Sequence, residues 1–395
     1  MNTTSKSLTT LEKSFKEIPK KLEEVAKNNL GITLEMVLFI FIIIILVILI
    51  VSWIVLKLTL NSRNCASLNI KYKEKPSFGT INYNYGTYKN KALRDFYVKS
   101  AYNCCSAGTY KNDFVSLCAL DNCIKQGARF LDFEIYSIDN KPVIAVSSKN
   151  NYNLKQTYNS LPLGEALEKI NRTAFSSGRC SNYNDPLILH FRIMSNITEM
   201  YENIANSLIS ALGNRLLGKE YSYSKHNGNF GDTKIDKLAG KVIIVVDNKN
   251  TTFQNTDTSL TELVNINSNN SKVMRTMRFF DIKHTHEATT LTYNNKEFMT
   301  ACIPDLSHIP VNPSPSIPMQ YGCQFIAMAF QNLDEKMLAY HKFFDDNNSA
   351  FVLKPRELRY IPRTINIKED PVKALTFGNK NLVRNYFGTT LTAPV

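Results

Sequence analysis

Twenty-one consecutive uncharged residues, Met36 to Leu56, stand between Glu35 and Lys57. At about 1.5 Å rise per residue such a helix crosses the roughly 30 Å hydrocarbon core of a bilayer. Residues 36–60 are therefore predicted to be a single transmembrane helix. The run is too long for the apolar core of a cleaved signal, and no small-residue cleavage site follows it. Upstream, Leu8, Leu11, Phe15, Ile18, Leu22 and Val25 recur at spacings of three and four, with Pro19 placed to kink the helix. The segment 1–35 thus reads as polar and amphipathic, suited to a membrane interface or a partner helix.

Beyond the span the pattern changes to short, solid apolar runs separated by helical periodicity. Phe325 to Phe330 is a wholly apolar run stopped by Gln331-Asn332. Met337, Leu338, His341 and Phe344 then fall at helical spacing, and Phe351-Val352-Leu353 closes on Lys354-Pro355. Apolar strand, helix and apolar strand in succession predict a buried parallel sheet. The same alternation occupies residues 97–248. Residues 61–96, polar and tyrosine-rich, read as a spacer; 249–272, rich in Asn, Thr and Ser, as a surface linker loop; 361–395 as an aperiodic tail that wraps the surface or engages a neighbour.

The wording of these runs resembles the catalytic barrel of eukaryotic-type phosphoinositide-specific phospholipase C. Gly322-Cys323-Gln324, the apolar strand, Val352-Leu353-Lys354-Pro355 and Leu358-Arg359 resemble its carboxyl-terminal Y region, here 273–360. Residues 97–248 resemble its X region. There Gln126-Gly127-Ala128-Arg129 leads into Phe130-Leu131-Asp132-Phe133-Glu134, followed by Pro142 to Val146, Pro186 to Arg192 and Leu238 to Val246. The resemblance implies an α/β fold: a distorted TIM-type (β/α)8 barrel of X-like and Y-like halves, preceded by the transmembrane helix. It leaves no room for the pleckstrin-homology, EF-hand and β-sandwich accessories usual in the family.

The family's reaction uses two histidines and a calcium ion held by an Asn and three carboxylates, at the carboxyl ends of the strands. In this sequence the first histidine's place is Tyr102 and the second's is Val146. Of the metal ligands, Asn103, Asp132 and Glu134 remain, whereas the third carboxylate's place is Arg192. A guanidinium there repels a cation and suits bidentate pairing with Asp132 or Glu134, so Arg192 is expected to stand in for the metal's charge. Phosphate-binding positions read Val245, Asp247 and Ala301. His190 is expected to be a satisfied core histidine, and His284 and His286 lack a third ligand at a metal-binding spacing.

The resemblance therefore implies a membrane-anchored pseudoenzyme, a phospholipase-C-like barrel kept as a binding or structural module. The alternative is a phosphoinositide phosphodiesterase with a rearranged site that uses Asp132 or Glu134 as base. A third reading is a tether that holds anionic headgroups without cleaving them. No cofactor is expected, with calcium required only by the enzyme alternative. The expected partners are the bilayer through Met36–Leu56, anionic headgroups and a protein of unspecified identity. A net charge of +13 comes without any nucleic-acid-binding motif, so nucleic acid is not expected. The Asn- and Lys-rich composition suggests a viral or protist membrane or virion component. Lys57, Arg63, Lys71, Lys73 and Lys75 after the span outnumber Lys20, Lys21 and Lys27 before it, which favours a cytosolic barrel. The eight cysteines show no ligand spacing and read as free thiols.

Overall fold

The computed structural model describes residues 34–394 apart from 77, 84–87, 150–153, 227, 270–271 and 363–380, with a few residues between 17 and 24. The stripe from Leu8 to Val25 lies outside the described residues. Helix α1 (Leu34–Leu58) contains a window of mean hydropathy 3.5, none of it buried. By length and composition it can cross a membrane.

After a break at Thr59, helix α2 (Leu60–Lys71) occupies much of the expected spacer. Its Leu68 is buried, and Cys65 is joined by a disulfide to Cys118, with Cα atoms 5.9 Å apart. The expectation that all thiols are free is corrected for this pair. Their separation of 53 residues carries no spacing signal, and only the packing of α2 on the barrel brings them together. In the chain-entropy description, closing such a loop stabilises the fold by about 4 kcal/mol. The other six cysteines are free and buried.

The barrel then runs β1 (Phe96–Ala101), α3 (Leu117–Lys125), β2 (Phe130–Ile138), β3 (Lys141–Ile144), β4 (Leu161–Pro162), α4 (Leu163–Ala174), β5 (Leu187–Ile193), α5 (Thr198–Leu212), β6 (Val242–Asp247), α6 (Ser259–Leu263) and β7 (Ile266–Ser268). The second half is β8 (Met274–Arg278), α7 (Phe279–Lys283), α8 (Ala288–Glu297), β9 (Met299–Ile303), α9 (Ser316–Gln320), β10 (Phe325–Met328), α10 (Glu335–Asp346) and β11 (Phe351–Leu353). Strand order along the sheet is β7-β6-β5-β2-β1-β10-β9-β8, parallel throughout, which forms a nearly closed barrel. Among the described residues β7 and β8 meet without a ladder, linked by side chains: Thr276 Oγ1 donates to Ser268 Oγ (3.3 Å).

The residues explain these elements. β6 is an unbroken Val-Ile-Ile-Val-Val run buried on both faces, as a strand between barrel interior and helix layer requires. In α4, Leu163, Ala166, Leu167, Ile170 and Ala174 make one buried face. The Arg129 guanidinium, fully buried, donates to the carbonyl of Ala174 at the end of α4 (3.1 Å). Asp334 caps α10 by accepting from the Met337 amide (2.8 Å). Gln324 Nε2 donates to the carbonyls of Arg94, Asn295 and Phe298, and Lys354 Nζ to those of Asn295 and Gly322. The motif residues that resemble the Y region thus tie together the barrel's floor, away from the strands' carboxyl ends.

Four expectations are corrected. The strand expected at Pro142–Val146 is β3, which returns antiparallel on β2 through Asp139 (φ 50°) and Asn140 (φ 59°). Two left-handed turn residues give the twist of a two-residue hairpin, and an apolar run cannot reveal strand direction. β11 pairs antiparallel with Phe96–Val98, the stretch of β1 that precedes its pairing with β2. The tract 249–272 carries α6 and β7, with Leu260, Val264 and Ile266 buried. Its apolar residues are too widely spaced to stand out among the Asn and Thr. Residues 360–394 form a separate unit, in which β12 (Asn381–Tyr386) and β13 (Thr389–Pro394) make an exposed hairpin rather than the aperiodic tail expected.

Lys99 on β1 is fully buried, lying 5.0 Å from the Phe78 ring and 3.9 Å from Asp345. Burial, partly offset by Asp345, depresses its pKa to about 8. A lysine with a lowered folded pKa costs stability in full below pH 8, and the cost fades as pH rises toward the unfolded value. Lys99→Met is expected to stabilise the protein by about 1–3 kcal/mol at pH 7. The gain should shrink between pH 8 and 10; a gain in thermal melts that is absent, or equal at all pH values, refutes it.

Candidate active site and its ion cluster

Asp132 and Glu134 lie two residues apart on β2, so both face the barrel interior. The β2–β5 register sets Asp132 beside His190 and Glu134 beside Arg192. Asn103, just past β1, adopts φ 44°, a left-handed conformation that asparagine tolerates better than most residues. Parallel pairing thus brings three chain segments together at the carboxyl ends of adjacent strands.

Arg192 sits at the centre of this cluster. Its Nε donates to Asp132 Oδ1 (2.9 Å), Nη2 to Asp132 Oδ2 and to Asn103 Oδ1 (both 2.7 Å), and Nη1 to Glu134 Oε1 (2.7 Å). The remaining carboxylate positions are also engaged. The Asn103 amide donates to Asp132 Oδ2 (3.1 Å), and Glu134 Oε2 accepts from Tyr136 Oη (3.0 Å) and the Ser147 amide (2.9 Å). Asp132 and Glu134 are buried. Burial alone would raise the Asp132 pKa, but Arg192 and His190 together hold it well below the usual carboxylate range. Burial would likewise lower Arg192, yet Asp132, Tyr102 and Glu134 drive it upward. Asp132 and Arg192 are thus both held in their charged forms.

The positions that the resemblance assigns to histidine are filled differently. The Tyr102 ring lies under the guanidinium, 4.7 Å from Arg192 Cζ, and packs edge-on to Tyr110. Such stacking favours a planar cation. Val146 is buried and has no polar side-chain atom. His190 Nδ1 lies 2.7 Å from Asp132 Oδ1, within the cluster, and is wholly buried. His284 and His286 are exposed, just after α7, and His308 Nδ1 lies 2.7 Å from Ser148 Oγ. Among the described residues no group of His, Cys, Asp and Glu is arranged to hold a metal. The oxygens of Asn103, Asp132 and Glu134 are of the kind calcium takes. A fixed guanidinium already engages them, so the residues present do not fit the ion.

Sequence reasoning missed Arg278. Its Nη1 donates to the Pro304 carbonyl (2.6 Å) and to Tyr102 Oη (3.3 Å). With Arg192, Asp247, Lys249 and Thr276 it lines a small cavity of about 70 Å³ at the barrel mouth. Arg278 and Ile303 stand in register on β8 and β9; knowing that register would have pointed to it, since Ile303 neighbours Ala301.

Comparisons with known proteins agree with this fold. Residues 241–357 match the family described as phosphatidylinositol-specific phospholipase C, Y domain. The crystal structure of L. pealei PLC21 superposes with a TM-score of 0.54 at 17% identity, over 69% of this chain and 38% of that one. PLC21 of S. officinalis gives 0.54 and 17%, over 70% of this chain and 39% of that one. At this identity the likeness shows the fold. Among curated proteins none matches by sequence. The protein is a nearly closed α/β barrel with the fold seen in these phospholipase C structures. The part of the chain that matches the Y-domain description runs from β6 through β11 and includes the second half of the barrel.

Proposed function

We propose that the chain is a membrane-anchored, phospholipase-C-like pseudoenzyme whose barrel serves as a binding or structural module. The observation that carries this reading is Arg192, seated among Asn103, Asp132 and Glu134 with Tyr102 stacked against it. A fixed internal cation there takes over the electrostatic part that a metal ion plays in the family. Fold and activity separate readily in barrels, because mouth residues change while the packed layers persist. The phosphodiesterase alternative needs a base, and Asp132 is poorly suited to be one: its pKa is depressed and both its oxygens accept from Arg192. The test is release of inositol phosphates from phosphatidylinositol vesicles by the purified protein. No release is expected, with or without calcium, and calcium-dependent release overturns the reading.

The apolar exposed α1 supports the anchor. For the side of the membrane, the Lys and Arg excess after the span and the Cys65–Cys118 disulfide point in opposite directions. The charge rule is a bias, whereas disulfides are rare in reducing compartments. The covalent bond weighs more, and on that ground we propose that the barrel lies on the oxidising side. Protease added outside sealed cell membranes with a cytosolic exterior should spare the barrel; its digestion there would return it to the cytosolic face.

A further inference from the structure

Asn-x-Ser/Thr triplets begin at Asn2, Asn171, Asn196, Asn250, Asn269 and Asn347. Such a triplet accepts N-linked carbohydrate where it forms part of a surface loop. In a chain this rich in Asn the triplet alone decides nothing, and the setting of the side chain in the fold decides instead. A glycan takes one of the two N–H bonds of the side-chain amide and crowds the other. A nitrogen packed against its neighbours therefore leaves no room for it.

The fold uses most of these nitrogens. Asn171 Nδ2 donates to the Ala211 carbonyl (2.9 Å) and its Oδ1 accepts from Arg215 Nε (3.0 Å), which ties α4 to the end of α5. Asn347 Nδ2 donates to the Phe343 carbonyl (2.8 Å) at the end of α10, and Ser349 of that triplet is buried. Asn250, half-buried, sets Nδ2 3.3 Å from Met194 Sδ, and Asn269 Nδ2 donates to Asp247 Oδ1. Asn2 lies outside the described residues, on the far side of the apolar span.

Asn196 differs from all of these. Asn196, Ile197 and Thr198 are exposed together in the turn from β5 to α5, on the rim of the barrel mouth. The turn is held from beneath: Tyr201 Oη donates to the Ser195 carbonyl (2.9 Å), and the Ile197 amide to Ser195 Oγ (3.2 Å). The Asn196 side chain is touched at its oxygen, which accepts from Thr252 Oγ1 (3.4 Å). Among the described residues its nitrogen and the Thr198 hydroxyl engage no partner.

We infer that Asn196 is a site of N-linked glycosylation, which sets a bulky polar chain on the rim of the mouth. This rests on the reading above that the barrel lies on the oxidising side, where the compartments that form disulfides also meet the glycan-attaching machinery. The co-reactant is a lipid-linked oligosaccharide pyrophosphate, supplied there with its transferase. Asn196 Nδ2 attacks the anomeric carbon of the reducing-end sugar, and an N–C bond forms. The bond from that carbon to the pyrophosphate oxygen breaks, the lipid pyrophosphate leaves with the electron pair, and the amide gives one proton to a base of the transferase. Nothing is oxidised or reduced.

The experiment expresses the full chain in cultured animal cells and compares its gel mobility before and after peptide-N-glycosidase. The wild type should run slower by one glycan. That step should be lost in Asn196→Gln and in Thr198→Ala, and kept in Thr198→Ser, which preserves the triplet. Asn171→Gln and Asn250→Gln should leave it unchanged. The Thr198 pair alters only an exposed hydroxyl, so loss in one and retention in the other is not a folding defect. A step that Asn196→Gln leaves unchanged, or no step at all, overturns the site; the oxidising-side reading then stands if protease outside the sealed membranes spares the barrel. If that protease digests the barrel, or the step is lost in Asn2→Gln, the chain is reversed in the membrane and both readings fall.

Discussion

Arg192→Ala is expected to destabilise the barrel by about 3–5 kcal/mol, because it leaves buried carboxylates without their counter-ion. Asp132 and Glu134 have almost no access to water, and Arg192 bonds both of them and Asn103. For a domain of this size the thermal midpoint should fall by roughly 10 °C. Arg192→Lys keeps the charge but loses the planar fork, and should fall between. The variant also frees the oxygens of Asn103, Asp132 and Glu134, a set that suits a hard cation. Calcium at a hundredfold excess over its dissociation constant would return about 2.7 kcal/mol by mass action. The expected result is thus a calcium-dependent midpoint for Arg192→Ala and a calcium-independent one for the wild type. The acid limb offers a second check. Asp132 has a lowered folded pKa, so its contribution is complete above the unfolded value of about 3.9 and is lost as pH falls. Wild type should lose stability with acid more steeply than Arg192→Ala. A melting point within about 2 °C of wild type would end the internal-cation account, since that shift corresponds to under about 1 kcal/mol.

The second large effect concerns catalysis. Each positioned proton-transfer group typically contributes about 10²–10⁴-fold, so a site without both histidines forfeits about 10⁴-fold or more before any loss of metal is counted. Hydrolysis of phosphatidylinositol or its phosphorylated forms should not exceed background. The double variant Tyr102→His, Val146→His separates two causes of inactivity. With Arg192 in place it should remain inactive, because the guanidinium still holds the carboxylates that a calcium would need. Activity in the double variant would show that the missing histidines alone silence the barrel, and that Arg192 is compatible with the chemistry.

How far the sequence reveals this arrangement depends on whether a contact is encoded by period or by topology. The Arg192 pairing was legible because strand period and order are both simple there. Carboxylates two apart on β2 and His190 and Arg192 two apart on the neighbouring strand must share a face. The apolar solidity of β6 and β10 made the parallel sheet legible for a similar reason. The helix after β10 was legible because Met337, Leu338, His341 and Phe344 keep a helical spacing, and all four lie within it. Periodicity is silent on direction, so β3 and β11 could not be distinguished from barrel strands. It is also silent across large separations. The Cys65–Cys118 bond, the Lys57–Tyr158 contact and the approach of Arg278 to Tyr102 exist only once the barrel has closed. Buried Lys99 reads in the sequence as an ordinary strand-end charge, since nothing local says that Phe78 will cover it.

The unpaired meeting of β7 and β8 makes this barrel a strip with two ends rather than a ring. A strand end exposes amides and carbonyls that would otherwise recruit another chain. Asn267, Ser268 and Asn269 stand on one side of the gap, and Arg275, Thr276 and Arg278 on the other. Asn269 Oδ1 accepts from the Thr276 amide (3.4 Å), and Thr276 reaches Ser268. Short amide and hydroxyl side chains thereby act as a built-in solvent for the sheet's raw margins, and the arginines add charge that discourages a foreign strand. A composition that resembles loop filler is, at this place, the selvedge that keeps the cloth from fraying.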